Sequence, residues 1–502
     1  MPNTKSKFAD FIKAKAEVFI PLFIFLIIFT NYLLFLAPSV TPFDSAELIV
    51  VSAVLGIPHP TGYPVYTWMG YLFTLLPFGS VAYRVNLMSA FFGAVTVTLL
   101  YLLIFNIIKI NKQVPLVHAR IISIISALLF AFSRAFWSGN EFTEVYSLNT
   151  FFICLMLLLL LKWYEKDNIK FLYCFSFIYG LSFGAHASSV LFAPAFLLFI
   201  ILKDYKVLLK PKKLLILGIL FFIGISQFFY IYFRALQNPP LNYAGGPLSW
   251  EGWWCLITGL CQFKSHMFAF SLSEIFDRGG LYFSFLITNF TFFGIVLALV
   301  GVISLVKKSY KIGILLILMI LGNFWFFIQY ITGELYYMFI PSYLILAIFI
   351  GYGIFELVLF VKSHTKSCLK NCLLALFFIL LLFFISHLYV TNLEYADKSH
   401  DFSAANYGYS VLKSVPENSI IITDWEYSNT FIYFKLIEKV NPQVEINNCD
   451  KGSWLEQVKR NINKKEVFLT APLPEVLGEY ALVPYLGIED GTLYKVEKKT
   501  KR

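Results

Sequence analysis

Asp44 and Glu47 stand in the stretch Thr41-Pro-Phe-Asp44-Ser-Ala-Glu47, so on a helix their carboxylates share one face. Such a pair suits proton transfer: one acid takes a proton from a hydroxyl while its neighbour positions the acceptor or shares the proton. A plainer role is open as well. Thr41-x-x-Asp44, with Pro42 in the first turn, fits a helix-capping box, and the two roles are compatible. Capping leaves Glu47 as a like-charged neighbour beside apolar sequence, where a carboxylate costs on the order of 2.5–3.5 kcal/mol on insertion scales. That cost favours a working pair. His59 follows between Pro58 and Pro60, with Gly62 and Pro64 beyond. Proline restricts its neighbours and glycine permits unusual φ, so the segment is a fixed, non-helical turn. It serves either as a re-entrant bend or as a mount that aims His59 at an anion such as phosphate.

A second stretch, Trp137 to Asn149, repeats the spacing with Glu141 and Glu144. These acids either lead the next helix from a solvated loop or bind substrate. Gly180 and Gly184 permit close helix packing before His186. The stretch Asn238-Pro-Pro-Leu-Asn242 leads to Trp250, Trp253 and Trp254. Tryptophans there anchor a chain at a membrane interface or offer flat faces for stacking a sugar, and the sequence leaves both open.

The elements that carry these residues must cross a membrane. Hydrophobic residues make up 58% of the 502 residues, charged residues 14%, and mean hydropathy is +0.71. A soluble domain carries about 25% charge, so a single water-soluble globule is excluded. Apolar runs fall at 18–36, 82–108, 121–136, 147–161, 171–185, 187–202, 214–233, 283–306, 312–331, 337–361 and 371–390. About eleven transmembrane helices follow, because lipid leaves open backbone groups unpaired. The expected fold is an α-helical polytopic membrane protein with a small C-terminal α/β domain outside the membrane.

Basic residues set the expected orientation. The turns sharing the N-terminal side hold 21 Lys and Arg, among them Lys112, Lys206, Lys210 and Lys308, whereas the opposite loops hold three, Arg234, Lys264 and Arg278. Arg84 and Arg134 lie near helix ends on that second side. The N-terminus, residues 1–17, is therefore expected in the cytoplasm, in a plasma or inner membrane for a prokaryote. The span region is 18–390, with a first outer loop at 37–81 and a long outer loop at 234–282; residues 391–502 then lie outside. The net charge of +10 resides in short loops between apolar runs, which excludes a nucleic-acid partner. Eight carboxylates before residue 391 gather on the outer side: Asp44, Glu47, Glu141, Glu144, Glu251, Glu274, Asp277 and Glu334. Acids contribute little to orientation, so the gathering asks for a function.

The tail shows β runs at Ser419–Thr423, Gln443–Ile446 and Val467–Thr470, alternating with helical stretches near Tyr427–Lys439 and Trp454–Ile462. It contains no G-x-G-x-x-G or P-loop, so no nucleotide site is signalled. Seven cysteines form no C-x-x-C or zinc spacing. Most lie in or beside apolar helices and are read as small hydrophobes; a disulfide between Cys255 and Cys261 outside the membrane is the lesser alternative.

Asp44-x-x-Glu47, followed by Gly56-x-Pro-His59-Pro-x-Gly62-Tyr-Pro, resembles the opening signature of a domain-of-unknown-function family. That family is related to the GT-C membrane glycosyltransferases and to protein O-mannosyltransferases. Tyr83-Arg84-Val-Asn86, Glu141-x-x-Glu144-Val-Tyr-x-Leu-Asn149, Gly180-Leu-x-x-Gly184-x-His186, Asn238-Pro-Pro-Leu-Asn242, Trp253-x-x-x-Thr258 and Tyr336-Tyr-x-x-x-Pro341 match in order, as does Asp424-x-Glu-x-x-Asn429 in the tail. Thr61 and Ala187 depart from the pattern. The resemblance implies a polyprenyl- or dolichyl-phosphate sugar donor, mannose-like, and a protein or glycan hydroxyl acceptor on the outer face. It implies Asp44 as general base in an inverting attack, with Glu47 beside it. His59, Arg84, Arg134, Glu141, Glu144, His186, Trp253 and Tyr336 are then expected to bind substrate, the arginines meeting phosphate charge. No cofactor is required, although a divalent metal between Asp44 and another outer carboxylate is compatible with the pattern. Two other readings remain: a transporter or flippase of lipid-linked glycans, whose charges would sit nearer the midplane, and a non-catalytic scaffold, which has no need of Asp44 and Glu47.

Overall fold

The computed structural model describes residues 4–110, 115–488 and 491–499; Lys112 and the first three residues of the N-terminal segment lie outside them. Among the described residues, eight helices are long and apolar enough to cross a membrane, and two shorter apolar helices accompany them. The chain runs α1 (Thr4–Phe35), the short α2 (Asp44–Val54) and α3 (Pro64–Thr74), then α4 (Val81–Ile110) and α5 (Leu116–Ala131). The short α6 (Arg134–Ser138) leads to α7 (Tyr146–Lys166), α8 (Ile169–Ser182) and, after a 3-10 turn at Ala187–Phe192, α9 (Ala193–Asp204). Next come α10 (Pro211–Ile225), α11 (Phe229–Leu236), α12 (Trp250–Thr258) and α13 (Leu260–Phe263). The bundle ends with α14 (Leu272–Phe327), α15 (Leu335–Met338), α16 (Ile340–His364) and α17 (Ser367–Ala396). Proline opens α3, α9, α10 and α16, where its missing N–H costs nothing.

At 1.5 Å per residue the 56 residues of α14 would extend about 84 Å, far beyond the roughly 30 Å of a bilayer core. The chain instead reverses at Ser309, whose φ and ψ are non-helical. Arg278 near one end donates to the carbonyl of Ile328 at the other, at 2.6 Å, and the Tyr282 and Phe324 rings meet at 4.8 Å. The hairpin makes two antiparallel limbs, so the bundle matches the expectation of about eleven crossings. Gly301 and Gly353 bring α14 and α16 together: a Cβ at either would stand about 2 Å from the other helix's carbonyl, of Phe349 or Leu297. Without a hydrophobic drive between helices in lipid, such close backbone contact is a main source of association.

Beyond α17 the chain forms α18 (Ser403–Ser414), β1 (Ser419–Thr423), α19 (Trp425–Leu436), β2 (Glu445–Asn448), α20 (Trp454–Asn461) and β3 (Glu466–Leu469). It ends with α21 (Pro474–Glu479), β4 (Tyr480–Ile488) and β5 (Gly491–Lys498). The sheet order is β2-β1-β3-β5-β4. β1 lies parallel to β2 and β3, with Ile421 opposite Ile446 and Phe468, as two helical crossovers dictate; β4 and β5 add an antiparallel pair. Alternate residues of β1 face opposite ways. Ile420 and Ile422 pack with Trp454 and Val458 of α20, while Ile421 and Phe468 join Phe431 of α19 in a core continuous with the bundle. The sheet therefore presses α19 against the bundle end that carries α2.

Candidate active site

Asp44 opens α2 with its carboxylate uncommitted to the backbone. The residue before it is the N-cap and makes no side-chain cap bond, and the buried Thr41 hydroxyl has no partner among the described residues. The capping-box alternative thus fails, because Thr41 does not reach the first turn. The other end of α2 is held by its carbonyls: Arg234 donates to Leu55 at 2.7 Å and to Val54 at 3.0 Å, and Tyr230 donates to Leu55 at 2.8 Å. A cation at a helix C-terminus satisfies both its orphan carbonyls and its dipole.

The turn after α2 is pinned to the loop before α12. Ile57 N–H donates to the Leu241 carbonyl and Tyr243 N–H to that of Ile57, each at 3.0 Å. Gly62 adopts φ +87°, and a Cβ there would stand 2.3 Å from Ile231 Cδ1. The turn swings His59 back over α2. Its main-chain N–H donates to Glu47 Oε1 at 2.6 Å, and its Nδ1 lies 2.6 Å from Oε2. On the far side of the ring, Nε2 lies 3.7 Å from Asp44 Oδ2 and 3.3 Å from the Tyr63 hydroxyl. Glu47 is fully buried, whereas the Asp44 side chain keeps 27% of its exposure. Asp44 therefore faces the opening and Glu47 faces His59.

Burial works against the His59 charge, but Glu47 and then Asp44 more than offset it and lift its pKa to about 9. Burial raises the Glu47 carboxyl, and the bonded imidazolium opposes that rise. Glu144 and Glu334 lie in the same field. Burial, and then Glu334 and Asp44, hold Glu144 well above the usual carboxylate range; burial and Asp44 raise Glu334. Glu334 accepts a hydrogen bond from the Tyr146 hydroxyl. His186 sits at the edge, its ring 6.1 Å from that of Tyr63 and 6.3 Å from that of Tyr146. Its Nδ1 engages Ser188, and burial lowers its pKa to about 4, so it is neutral.

Of the residues selected from sequence, Asp44, Glu47, His59 and Glu144 thus converge, with His186 beside them. The others stand apart. Arg84 donates to the carbonyls of Thr74, at 2.6 Å, and Leu76 at the end of α3. Arg134 donates to Asn392 Oδ1 at 3.1 Å and lies 3.7 Å over the Tyr395 ring, tying α6 to α17. Glu141 is fully buried beside the Trp137 indole, away from Asp44. Trp253 donates to the Phe228 carbonyl at 2.9 Å and stacks on Phe229, as an anchor of α12. Tyr336 packs on Phe285 and Tyr343. A helix end without a side-chain cap claims Arg84, and a neighbouring helix claims Arg134, neither of which sequence spacing reveals. Cys255 and Cys261 are disulfide-bonded.

Asp44, Glu47 and His59 are also the group among the described residues that could hold a metal ion, their ligand atoms lying within 4.8 Å of one another. The fit is poor: both Glu47 oxygens are engaged by His59, and Asp44 Oδ1 accepts the Trp425 indole N–H at 2.6 Å. Glu47 and His59 are hydrogen-bonded, and His59 Nε2 approaches Asp44 Oδ2 at 3.7 Å as a charge contact. Sequence reasoning passed over Tyr63, Tyr146 and Trp425, and counted Glu334 only among the outer acids. Trp425 did carry a signal, since it follows the carboxyl end of a parallel strand, where α/β sheets place functional groups.

Residues 44–209 match the family model described as the protein O-mannosyl-transferase TMEM260 N-terminal domain. The protein O-mannosyl-transferase tmem260 of Dictyostelium discoideum is 26% identical over 475 residues, covering 83% of this chain and 55% of that protein. Its Mus musculus counterpart is 35% identical over 198 residues, covering 38% of this chain and 26% of that protein. The chain thus spans about half the length of the first relative and about a quarter of the second. ArnT from Cupriavidus metallidurans, solved bound to undecaprenyl phosphate, shares the fold with a TM-score of 0.61 at 8% identity, over 96% of this chain and 98% of that one. Its apo structure gives 0.56 at 10% identity, over the same shares. Over residues 44–209 the chain is thus similar to the N-terminal domain of a protein O-mannosyl-transferase, and over nearly its whole length it shares the fold of ArnT, a multi-pass arrangement of apolar helices.

Proposed function

We propose that the chain is a membrane glycosyltransferase that moves a sugar, mannose-like, from a polyprenyl-phosphate donor to a hydroxyl acceptor on the outer face, the acceptor being a protein Ser or Thr. Asp44 is the general base. It takes the acceptor proton as the hydroxyl oxygen bonds to the anomeric carbon, the carbon–phosphate-oxygen bond breaks on the opposite face, and the electron pair leaves on the lipid phosphate. Configuration inverts. The observation that carries this reading is the partly exposed Asp44 carboxylate, free of any capping duty, at the bundle end away from the lysine-rich turns. A lipid tail lies in the bilayer and an acceptor arrives from water, so the base belongs where they meet.

Glu47 fixes the ring of His59, and His59 sets a positive charge beside Asp44. No arginine is assigned to the departing phosphate, since Arg84, Arg134, Arg234 and Arg278 all hold other groups of the chain. Glu144, Glu334 and Tyr146 are read as the floor beneath the sugar. Residues 391–502 are read as an extracytoplasmic unit over the site. The likeness to a structure holding undecaprenyl phosphate supports the donor class, and the names of the relatives support the acceptor class.

The test is transfer by the purified full chain, in lipid nanodiscs, from labelled polyprenyl-phosphate mannose to Ser/Thr-rich peptides. Asp44→Asn is expected to lower the rate by about 10²–10⁴-fold while expression and melting temperature hold. A folded Asp44→Asn variant with full activity would overturn the assignment. Movement of the lipid-linked sugar across the membrane without transfer would favour the flippase.

A further inference from the structure

Trp425 belongs to the C-terminal layer, yet its indole ends at Asp44, 381 residues earlier in the chain. Its Nε1 donates to Asp44 Oδ1 at 2.6 Å, short for an N–H···O bond. The ring stands edge-on to His59, centroids 5.7 Å apart, and packs on Tyr243 at 5.1 Å. The mount beneath it is firm. Asp424 caps α19 by accepting from Glu426 N–H at 3.3 Å and is itself met by Lys451 Nζ at 3.0 Å. Phe43 N–H, immediately before Asp44, donates to the Glu426 carbonyl at 3.1 Å, and the Tyr243 hydroxyl donates to Asn429. The first turn of α19 is thus docked on the first turn of α2.

We infer that Trp425 is a positioning residue for Asp44, and that the C-terminal layer is for this reason part of the active site and not an appended module. The inference rests on the reading of Asp44 as the base. An indole N–H is a donor only and carries no charge, so it orients a carboxylate without forming an ion pair with it. Holding Oδ1 fixes the plane of the carboxylate and leaves Oδ2, the oxygen nearer His59, for the acceptor hydroxyl. A base misaligned by a rotation about one bond loses the near-attack geometry that gives most of its advantage. A bond that served only to glue the layers would leave turnover untouched once the protein is folded.

The decisive variant is Trp425→Phe, which keeps a ring against His59 and Tyr243 and deletes the N–H. Removing one hydrogen bond to a charged group is expected to lower kcat about 10- to 100-fold, with KM for the lipid donor and the melting temperature unchanged. Unchanged kcat in folded protein would overturn the inference, and so would a rise in KM alone. Should Trp425→Phe fail to fold, indole N–H resonances of the otherwise intact chain decide the matter. One downfield indole proton is expected to move upfield in Asp44→Asn, and no movement of any indole proton would again overturn the inference. Failure of the underlying reading is distinguishable: Asp44→Asn is then fully active. If Asp44→Asn is inactive and Trp425→Phe turns over normally, only the role of Trp425 falls.

Discussion

His59 is where charge and geometry meet at the scale of single residues. Its pKa of about 9 stands above the ordinary histidine value, so the folded site holds the proton more tightly than the unfolded chain. The stabilisation is complete below about pH 6.5, the ordinary histidine value, and is lost as pH rises through about 9. Melting temperature and transfer rate of the intact chain are therefore expected to fall together across that window. Glu47→Gln removes the largest contribution that raises His59, so its high-pH limb is expected to move toward neutrality, with a rate loss smaller than that of Asp44→Asn. A limb left in place by Glu47→Gln would show that the pair does not set it. The pairing of Asp44 with Glu47 was legible in the sequence because the two lie three apart on one helix, whereas His59 was read as a bend or an anion-facing group and its bond to Glu47 was not foreseen. Trp425 carried only the signal of its place after β1, and its partner was hidden because no local pattern reports a hydrogen bond across most of the chain.

Elements hold the cluster through groups that the sequence advertises poorly. The spans were readable, since lipid demands about 20 apolar residues per helix and tolerates no open backbone. The hairpin inside α14 was readable too, because Lys307, Lys308 and Lys311 interrupt an apolar run. By contrast, β5 was hidden: Leu493 and Val496 lie three apart and enter the cores on opposite faces of the sheet, so with Lys495, Glu497 and Lys498 between and beyond them the strand shows no period-two alternation. The arginines stand apart from the cluster for a related reason, since a guanidinium that holds a helix end or a neighbouring side chain, as Arg84 and Arg134 do, looks in sequence like one that binds phosphate. Gly62 carries a sharper expectation. Its positive φ and the Ile231 methyl 2.3 Å from a built Cβ make Gly62→Ala costly by two independent routes. The strain alone is on the order of 1–3 kcal/mol. Thermal melts in detergent should show the loss, together with a fall in transfer rate as His59 is displaced. Unchanged melting and rate would mean that the turn does not position His59.

At the scale of the whole molecule, the loops of the membrane-spanning region before residue 391 are asymmetric, with lysines gathered on one side and most carboxylates on the other, and that polarity constrains the chemistry. Loops rich in Lys and Arg resist translocation and stay in the cytoplasm, so the end bearing Asp44, α19 and the sheet should face outward. Tags at Gly245 and Lys210 test this, because both positions are exposed and they lie in turns at opposite ends of the bundle. Antibody is expected to reach the Gly245 tag on intact cells and the Lys210 tag only after permeabilisation. The outcome bears on donor class as well as orientation. A site outside the cytoplasm is cut off from soluble nucleotide-activated sugars, so the activated sugar must travel on a carrier that crosses with the lipid, and its leaving group must be a phosphate held at the membrane surface. Were the labelling reversed, Asp44 would face a compartment where nucleotide sugars are at hand. The physical reason for a polyprenyl-phosphate donor would then disappear along with the assigned orientation.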